Sequence, residues 1–187
     1  MKYKKVTQKP YCCTAACLEM ILRRNGINDY EQEDIAYDLG LIVPPDYVDR
    51  FKRVRTGQKP IAGYGTQIQK EKYSVNNFFK KNNIPLINEY HYITGIKEAK
   101  KFLKDNDKND ILVCLHCATL YDAPHANWGH MVLYDHMEDD YFVLQDPADN
   151  HDIEKIKLDK VLEAIKVHGV KKAGGFWLIK KTYMNEL

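Results

Sequence analysis

The first half of the chain carries small and apolar residues at helical spacing. After Pro10, positions 13, 16, 17, 20 and 21 form one such stripe. This pattern predicts a helix over 13–25, ended by Gly26, because glycine is common directly after the last helical turn. Similar patterns predict three further helices, the second of them with Ser74 as its N-cap, over 31–39, 75–82 and 97–104.

The segment 42–70 has a different pattern, with prolines, glycines and no clean period. It is predicted to be a long irregular connection with one short amphipathic turn near 46–54. Ordered loops of this length in compact domains are usually functional.

The second half of the chain shows patterns typical of strands. Residues 111–118 form a nearly continuous apolar run of strand length. The segments 130–136 and 141–145 flank a polar turn and predict a hairpin. Further elements are predicted as strands over 84–92 and 175–180 and a short helix over 158–167. Helices followed by an antiparallel sheet indicate an α+β fold and argue against a parallel α/β sheet.

The composition is that of an ordinary globular protein and excludes two classes of partner. Hydrophobic residues make up 44% of the 187 residues and charged residues 29%, with a net charge of +2. The basic residues form no stripe with interleaved aromatics, so no nucleic-acid partner is expected. No run of about 18 apolar residues is present, so no membrane partner is expected. Nothing in the sequence indicates an oligomeric state.

The five cysteines argue for a reducing compartment. Their number is odd and three of them lie close together at positions 12, 13 and 17, which is a poor disulfide framework. The N-terminal residues show no apolar core of a signal peptide. We therefore expect a cytoplasmic protein with reduced thiols, although secretion by a route without a signal peptide is compatible with the sequence.

Cys13 is the candidate nucleophile because it begins the first predicted helix. The positive end of the helix dipole favours the thiolate and lowers the pKa of a thiol at that position, and the thiolate is the nucleophilic form. A small buried residue at a helix start is the alternative interpretation. Cys12 is the rival nucleophile, whereas Cys17, one turn further on, is expected to pack in the core.

The predicted hairpin supplies a candidate base and its partner. If its turn centres near residue 138, His130 and Asp146 lie directly opposite each other on one face of the sheet. The carboxylate could then orient the imidazole, as the base of a nucleophile requires. A register slip of one residue would separate the two side chains, and an ordinary edge pair is the alternative. Gln8, on the approach to the first helix, could donate to an oxyanion together with the backbone N–H at the helix start.

A metal site is a weaker interpretation of the cysteines and histidine at 114, 116 and 117. In a strand, positions three apart point to opposite faces, and no second pair of ligands stands at a fitting distance. We expect core packing for these residues and no metal or organic cofactor.

These segments, in chain order, resemble the papain-like cysteine peptidases and, more closely, the C39-like group, relatives of the bacteriocin leader peptidases. The nucleophile segment of that group resembles Gln-…-Asp-Cys-Gly-Pro-Ala-Cys-Leu-Ala-Met-Ile-Leu. This chain has Gln8 and then Cys-Cys-Thr-Ala-Ala-Cys-Leu-Glu-Met-Ile-Leu over 12–22. The base segment of the group resembles Gly-His-(aromatic)-Val-Val, followed one strand later by Asp-Pro-Ala. Here the chain has Gly-His-Met-Val-Leu over 129–133 and Asp-Pro-Ala over 146–148.

The resemblance implies a single two-lobed papain-like domain over 1–187. It implies a helical lobe over about 1–105, a sheet lobe over about 106–187, and an active cleft between them. The implied activity is that of a thiol protease or amidohydrolase, which cleaves a peptide, protein or small amide substrate through a thioester acyl-enzyme. The resemblance implies Cys13 as the nucleophile, His130 as the base, Asp146 as the orienting acid and Gln8 as the oxyanion donor.

The chain departs from the pattern of the group at three points. Thr14 stands where the group has glycine, Cys12 stands where it has aspartate, and the distance from Gln8 to Cys13 is one residue shorter than expected. Two alternatives therefore stay open: an acyltransferase that uses the same thioester, and a catalytically inactive binding or immunity module with this fold.

Overall fold

The computed structural model describes residues 2–61 and 63–182. The helices within these ranges are α1 (Cys13–Arg24), α2 (Gln32–Asp38), α3 (Val75–Lys81), α4 (Ile96–Asp105), α5 (Cys117–Tyr121) and α6 (Leu158–His168). The strands are β1 (Leu86–His91), β2 (Asp110–His116), β3 (Gly129–Glu138), β4 (Tyr141–Gln145), β5 (Ile153–Lys157) and β6 (Gly175–Lys181). The structure is thus the predicted mixture of helices and antiparallel strands.

The strands form one antiparallel sheet in the order β1-β6-β2-β3-β4-β5. Alternate residues of a strand point to opposite faces of its sheet. Leu112 and Cys114 of β2 accordingly pack into one apolar cluster, and Ile111 and Val113 pack into another. Because both faces of β2 are covered, its sequence is a continuous apolar run.

Helices cover both faces of this sheet. The buried residues of α1, α2 and α3 pack against one face, and those of α4, α5 and α6 pack against the other. β1 and α4 come from the N-terminal part of the chain, yet β1 is an edge strand of the sheet and α4 packs on the face opposite α1. The two lobes expected from the sequence therefore share the sheet.

Two elements differ from the sequence-based expectations. The predicted strand over 111–118 ends at His116, and α5 begins where the backbone N–H of Cys117 donates to Trp128 O (3.0 Å). β5 was not predicted, because its alternation consists mostly of charged residues at a sheet edge. Its backbone pairs with β4 from Gln145↔Ile153 to Tyr141↔Lys157.

The 42–70 segment is an ordered irregular loop, as predicted. It contains a 3₁₀ turn over Pro45–Arg50, and Ile42 forms isolated bridges with Arg55 and Gly65. The buried Gln67 donates to Gly65 O (3.0 Å) from its side chain. These contacts fold the loop back on itself.

Within residues 2–61 and 63–182, no helix combines the length and the apolar character that crossing a bilayer requires.

Candidate active site

Cys13 is the first residue of α1, as predicted. The N-cap, Cys12, makes no side-chain capping hydrogen bond, and the first turn contains no acidic residue. The N–H groups of this turn therefore keep the partial positive charge of a helix N-terminus. Cys13 is partly exposed, whereas Cys12 and Cys17 are fully buried. Of these three cysteines, the partly exposed one is thus the first residue of the helix, at its positive end.

The start of α1 lies along an edge of β3 that the next strand leaves uncovered. β4 pairs with β3 only from Leu133 toward the hairpin turn. Met131 lies two residues before Leu133, on this uncovered part of β3. The thiol of Cys17 donates to Met131 O (3.4 Å), and an interaction with the backbone of Met131 helps to lower the pKa of the Cys13 thiol. The helix is thereby held next to the residue that precedes Met131, which is His130.

His130 is buried and its ring is oriented by Asp146. Only 6% of the residue is exposed, and its Nε2 lies 2.8 Å from Oδ1 and 3.0 Å from Oδ2 of Asp146. Since Asp146 occupies Nε2, Nδ1 is the ring nitrogen that remains for Cys13, whose thiol is near enough to the imidazole for their interaction to lower the pKa of the thiol and raise the pKa of the imidazole. The structure therefore brings together three of the four predicted site residues in one row, Cys13, His130 and Asp146.

The predicted contact between His130 and Asp146 is present, but the strand register from which we predicted it is wrong. Leu133 pairs with Gln145, so position 146 falls opposite position 132 and not opposite His130. The two side chains are diagonal neighbours on one face, a separation that long side chains can bridge.

A shift of register at Asp135 puts the two side chains on that common face. On the turn side of Asp135 the pairing is His136↔Val143, and on the other side it is Tyr134↔Leu144. Without this one-residue shift, position 146 would fall opposite position 133 and would point to the other face of the sheet.

Asp146 has two further hydrogen-bond donors. The hydroxyl of Tyr121 donates to Oδ2, and the backbone N–H of Ala148 donates to Oδ1 (2.7 Å). Tyr121 belongs to α5 and stacks on His151, with ring centroids 4.3 Å apart. Tyr121 is not among the predicted site residues, because α5 was not predicted and no motif marks this tyrosine.

The electrostatics of the row favour a thiolate and an imidazolium. Burial raises the pKa of the Cys13 thiol, but hydrogen bonding to His130 and its positive charge outweigh burial, so the net pKa is lowered. Burial lowers the pKa of His130, but hydrogen bonds to Asp146 and Cys13 hold it well above its usual value. Burial raises the pKa of Asp146, yet the bonds from His130, Tyr121 and Ala148 leave it lowered. The arrangement therefore favours the nucleophilic thiolate form of Cys13.

All five cysteines are unpaired, and Cys13 is the only one of them with a lowered pKa. Burial raises the pKa of Cys12 to about 12, and it likewise raises those of Cys17, Cys114 and Cys117. These four thiols are protonated near neutral pH, which makes them poor nucleophiles.

Gln8 lies on the approach to α1, next to the segment that follows Asp146. Its backbone N–H donates to Pro147 O (2.8 Å), and a tight turn closed by Cys12 N–H on Lys9 O (3.0 Å) leads from it to the helix. The side-chain Oε1 of Gln8 is buried without a hydrogen-bond partner among the described residues. A half-turn of the amide would place Nε2 at the same position, so this side chain can offer an uncommitted donor.

No family model matches the chain, and no curated protein is significantly similar to it. Solved structures do match it. A protein from Bacillus anthracis that is assigned as a C39-like peptidase superposes with a TM-score of 0.61 and 15% identity, and the match covers 96% of each chain. A double-glycine motif protease from an AMS/PCAT transporter, solved with the leader peptide, superposes with a TM-score of 0.54 and 18% identity, over 97% of this chain and 93% of that one. This chain has the fold of the C39-like peptidases.

Two departures from the C39-like motifs point into the protein. Thr14 is buried, and its hydroxyl accepts a hydrogen bond from Thr66 (3.1 Å) in the 42–70 loop. Cys12 is fully buried in the core beside α1. Neither side chain therefore occupies the exposed side of Cys13.

The cysteines and histidine considered as metal ligands lie in β2 and at the start of α5. Both ring nitrogens of His116 have partners, Thr119 Oγ1 at 2.8 Å and Asn127 Oδ1 at 2.9 Å. Cys114 is buried in β2, and Cys117 begins α5. The described residues contain no group of three or more side chains that could hold a metal ion.

Proposed function

We propose that the protein is a cysteine hydrolase that cleaves a peptide or amide bond. Cys13 is the nucleophile, His130 the base, Asp146 the orienting acid and Gln8 an oxyanion donor. The observation that carries the proposal is the row of Cys13, His130 and Asp146 at a helix N-terminus, with a lowered thiol pKa and a raised imidazole pKa. The C39-like fold supports it.

In the proposed reaction the thiolate of Cys13 attacks the carbonyl carbon of the substrate, and the carbonyl oxygen becomes an oxyanion. The N–H of Cys13 and the side-chain amide of Gln8 donate to that oxygen. The His130 imidazolium gives its proton to the leaving amine as the C–N bond breaks, which leaves a thioester. His130 then removes a proton from water, the resulting hydroxide attacks the thioester, and the acid product leaves with regeneration of the Cys13–His130 pair.

A peptide is the substrate class that we propose. One solved neighbour was captured with a leader peptide, and the 42–70 loop lies beside the start of α1 through the bond between Thr66 and Thr14. We assign the two lobes to one domain over 1–187, because α1 and β3 come from different lobes and form the site together. The five unpaired cysteines suit a cytoplasmic location.

Peptide cleavage in water enriched in ¹⁸O tests the proposal. The protein is incubated with a library of peptides derived from a proteome, and new termini are identified by mass spectrometry. Hydrolysis adds one ¹⁸O atom to each new C-terminus. Transfer of the acyl group to an amine gives ligated products without the label. Detection of such products would support the acyltransferase alternative and not hydrolysis.

Matched variants make the result specific to the site. Cys13→Ala should abolish the new termini. Cys12→Ala is the matched control at the neighbouring position and should retain them, because Cys12 is buried and its pKa is raised to about 12. Cleavage that persists in Cys13→Ala would reject the proposed nucleophile. Absence of cleavage, together with no preferential alkylation of Cys13, would favour an inactive binding module.

A further inference from the structure

Gln32, at the start of α2, is hydrogen-bonded to the backbone on both sides of Gln8. Its Nε2 donates to Thr7 O (2.9 Å), and its Oε1 accepts from the backbone N–H of Lys9 (2.6 Å). The carbonyl of residue 7 and the N–H of residue 9 point to the same side of an extended chain, as in a pair of antiparallel strands. One buried side chain thus takes the place of a neighbouring strand.

The opposite side of this short segment is held as well. The N–H of Gln8 points away from Gln32 and donates to Pro147 O (2.8 Å), one residue after Asp146. The backbone of Gln8 is therefore fixed between α2 and the segment that carries the orienting carboxylate.

Gln32 is itself fixed by buried groups. Its backbone N–H donates to Oε2 of Glu19 (2.7 Å), a buried residue of α1. Glu19 also forms an ion pair with Arg23 on the same helix. α1 therefore carries both the nucleophile and the group that anchors Gln32.

The side-chain amide of Gln8 has no comparable partner. Its Oε1 is buried and unpartnered among the described residues, although buried polar groups nearly always find a hydrogen bond. An unpartnered buried amide is understandable if its hydrogen-bond partner, such as an oxyanion, forms only during a reaction. The two hydrogen bonds of Gln32 thus fix the backbone of a residue whose side chain is kept uncommitted.

We infer that Gln32 is a positioning residue that holds Gln8 in place to donate to the oxyanion. This inference rests on the proposed function, because an oxyanion forms only if Cys13 attacks a carbonyl group. Donors in an oxyanion hole act through their preorganised position, and a misplacement of about 1 Å can cost as much as a hundredfold in rate. Gln32 itself touches no reacting atom.

Two reagents separate this role from thiolate formation. p-Nitrophenyl acetate acylates a thiolate through a tetrahedral oxyanion, with formation of the S–C bond and departure of p-nitrophenolate. Iodoacetamide alkylates the same sulfur by displacement of iodide, without an oxyanion. The ratio of the two rate constants at Cys13 therefore reports the oxyanion donors and requires no knowledge of the natural substrate.

Gln32→Met should lower the acylation rate of Cys13 by on the order of tenfold and leave its alkylation rate within about twofold. Gln32→Glu keeps the acceptor for Lys9 N–H but replaces the donor to Thr7 O by a carboxylate oxygen, so it too should lower the acylation rate more than the alkylation rate; it serves as the test variant if Gln32→Met folds poorly. Asn76→Leu is the matched control. Asn76 makes the same pair of bonds to the backbone of Asn88 (2.9 and 2.7 Å) at the sheet edge, and its loss should change neither rate.

The effect of Gln32→Met should disappear in the Gln8→Ala background, because a positioning residue cannot act on a donor that is absent. In that background the acylation rate should change by less than about twofold. Equal losses with and without Gln8, or parallel losses in acylation and alkylation, would overturn the inference. Wild-type acylation that does not depend on Cys13 would instead contradict the proposed function.

Discussion

The imidazole of His168 lies in the space that a side chain at position 129 would need. A Cβ atom on Gly129 would be 2.3 Å from Cε1 of His168, which is closer than non-bonded atoms approach. Gly129 directly precedes His130, and it pairs with His116 at the end of β2. His168 at the end of α6 therefore packs against the start of the strand that carries the proposed base, and this explains why a glycine stands before His130.

Gly129→Ala should destabilise the protein by about 1–3 kcal/mol, because the start of β3 and the buried ring of His168 must move apart to admit the methyl group. The same movement displaces His130 and should lower the alkylation rate of Cys13 near neutral pH. Urea unfolding and iodoacetamide alkylation measure the two effects. In the background of His168→Ala the added methyl group meets no ring, so Gly129→Ala should there cost far less. An equal cost in both backgrounds would show that the close approach to His168 is not the cause.

His168 should make the protein less stable in mild acid. Its burial and the positive charge of Lys172 lower its pKa from 6.5 to about 4, and only 8% of the residue is exposed. Between these two values the unfolded chain binds a proton that the folded protein does not. Stability therefore falls as the pH drops from 6.5 to 4, by up to about 1.4 kcal/mol per pH unit. Unfolding in urea at a series of pH values should show a shallower dependence for His168→Leu than for the wild type. Identical pH dependence in the two proteins would contradict a neutral buried His168.

Cys13→Ala should abolish covalent labelling and turnover with little loss of stability, since it shortens one partly exposed side chain. Cys12→Ala should retain most activity, because Cys12 is buried and its pKa is raised to about 12 by burial. Peptide mapping after labelling with iodoacetamide at pH 6 identifies the modified cysteine. An inactive Cys12→Ala beside an active Cys13→Ala would reverse the assignment.

The alkylation rate of Cys13 should remain high at pH values below the usual thiol pKa of 9.0, because hydrogen bonding to His130 and its charge lower the pKa of the thiol against the effect of burial. The thiolate–imidazolium pair exists between the lowered pKa of Cys13 and the raised pKa of His130. His130→Ala removes the cause of the lowering, so its alkylation rate at pH 6 should fall and recover only at higher pH. Gln8→Ala serves as the control and should leave the alkylation profile unchanged. A profile that shifts with Gln8→Ala and not with His130→Ala would exclude this division of roles.

Tyr121→Phe should move the acidic limb of the pH–activity profile to higher pH. The Tyr121 hydroxyl is one of the groups that lower the pKa of Asp146 against the effect of burial, so its loss should raise that pKa and allow protonation of the carboxylate at higher pH. Phenylalanine keeps the ring that stacks on His151, so the change isolates the hydroxyl. Activity at neutral pH should decrease less than in Asp146→Asn, which removes the charge itself. An unshifted acidic limb would show that Tyr121 has only a packing role.

Local pattern alone determined most of the secondary structure and the position of the candidate nucleophile. The stripe over 13–25 predicted α1 with Cys13 as its first residue, and the observed helix is Cys13–Arg24. Ser74 is the N-cap of α3, as predicted, and accepts from the N–H of Asn77 (3.1 Å). Such features depend on residues a few positions apart, so a single sequence contains the information.

Tertiary structure decided which side chains meet and what surrounds them. The shift of register at Asp135 places Asp146 on the same face as His130. A register different by one residue would have put the two side chains on opposite faces of the sheet, although the alternation of apolar residues in each strand would be the same. Tyr121 reaches Asp146 and Gln32 reaches the backbone beside Gln8 across chain separations that no local period encodes. The physical reason is that strand register and buried hydrogen bonds depend on the packing of distant segments, and the free energy of that packing is distributed over the whole core.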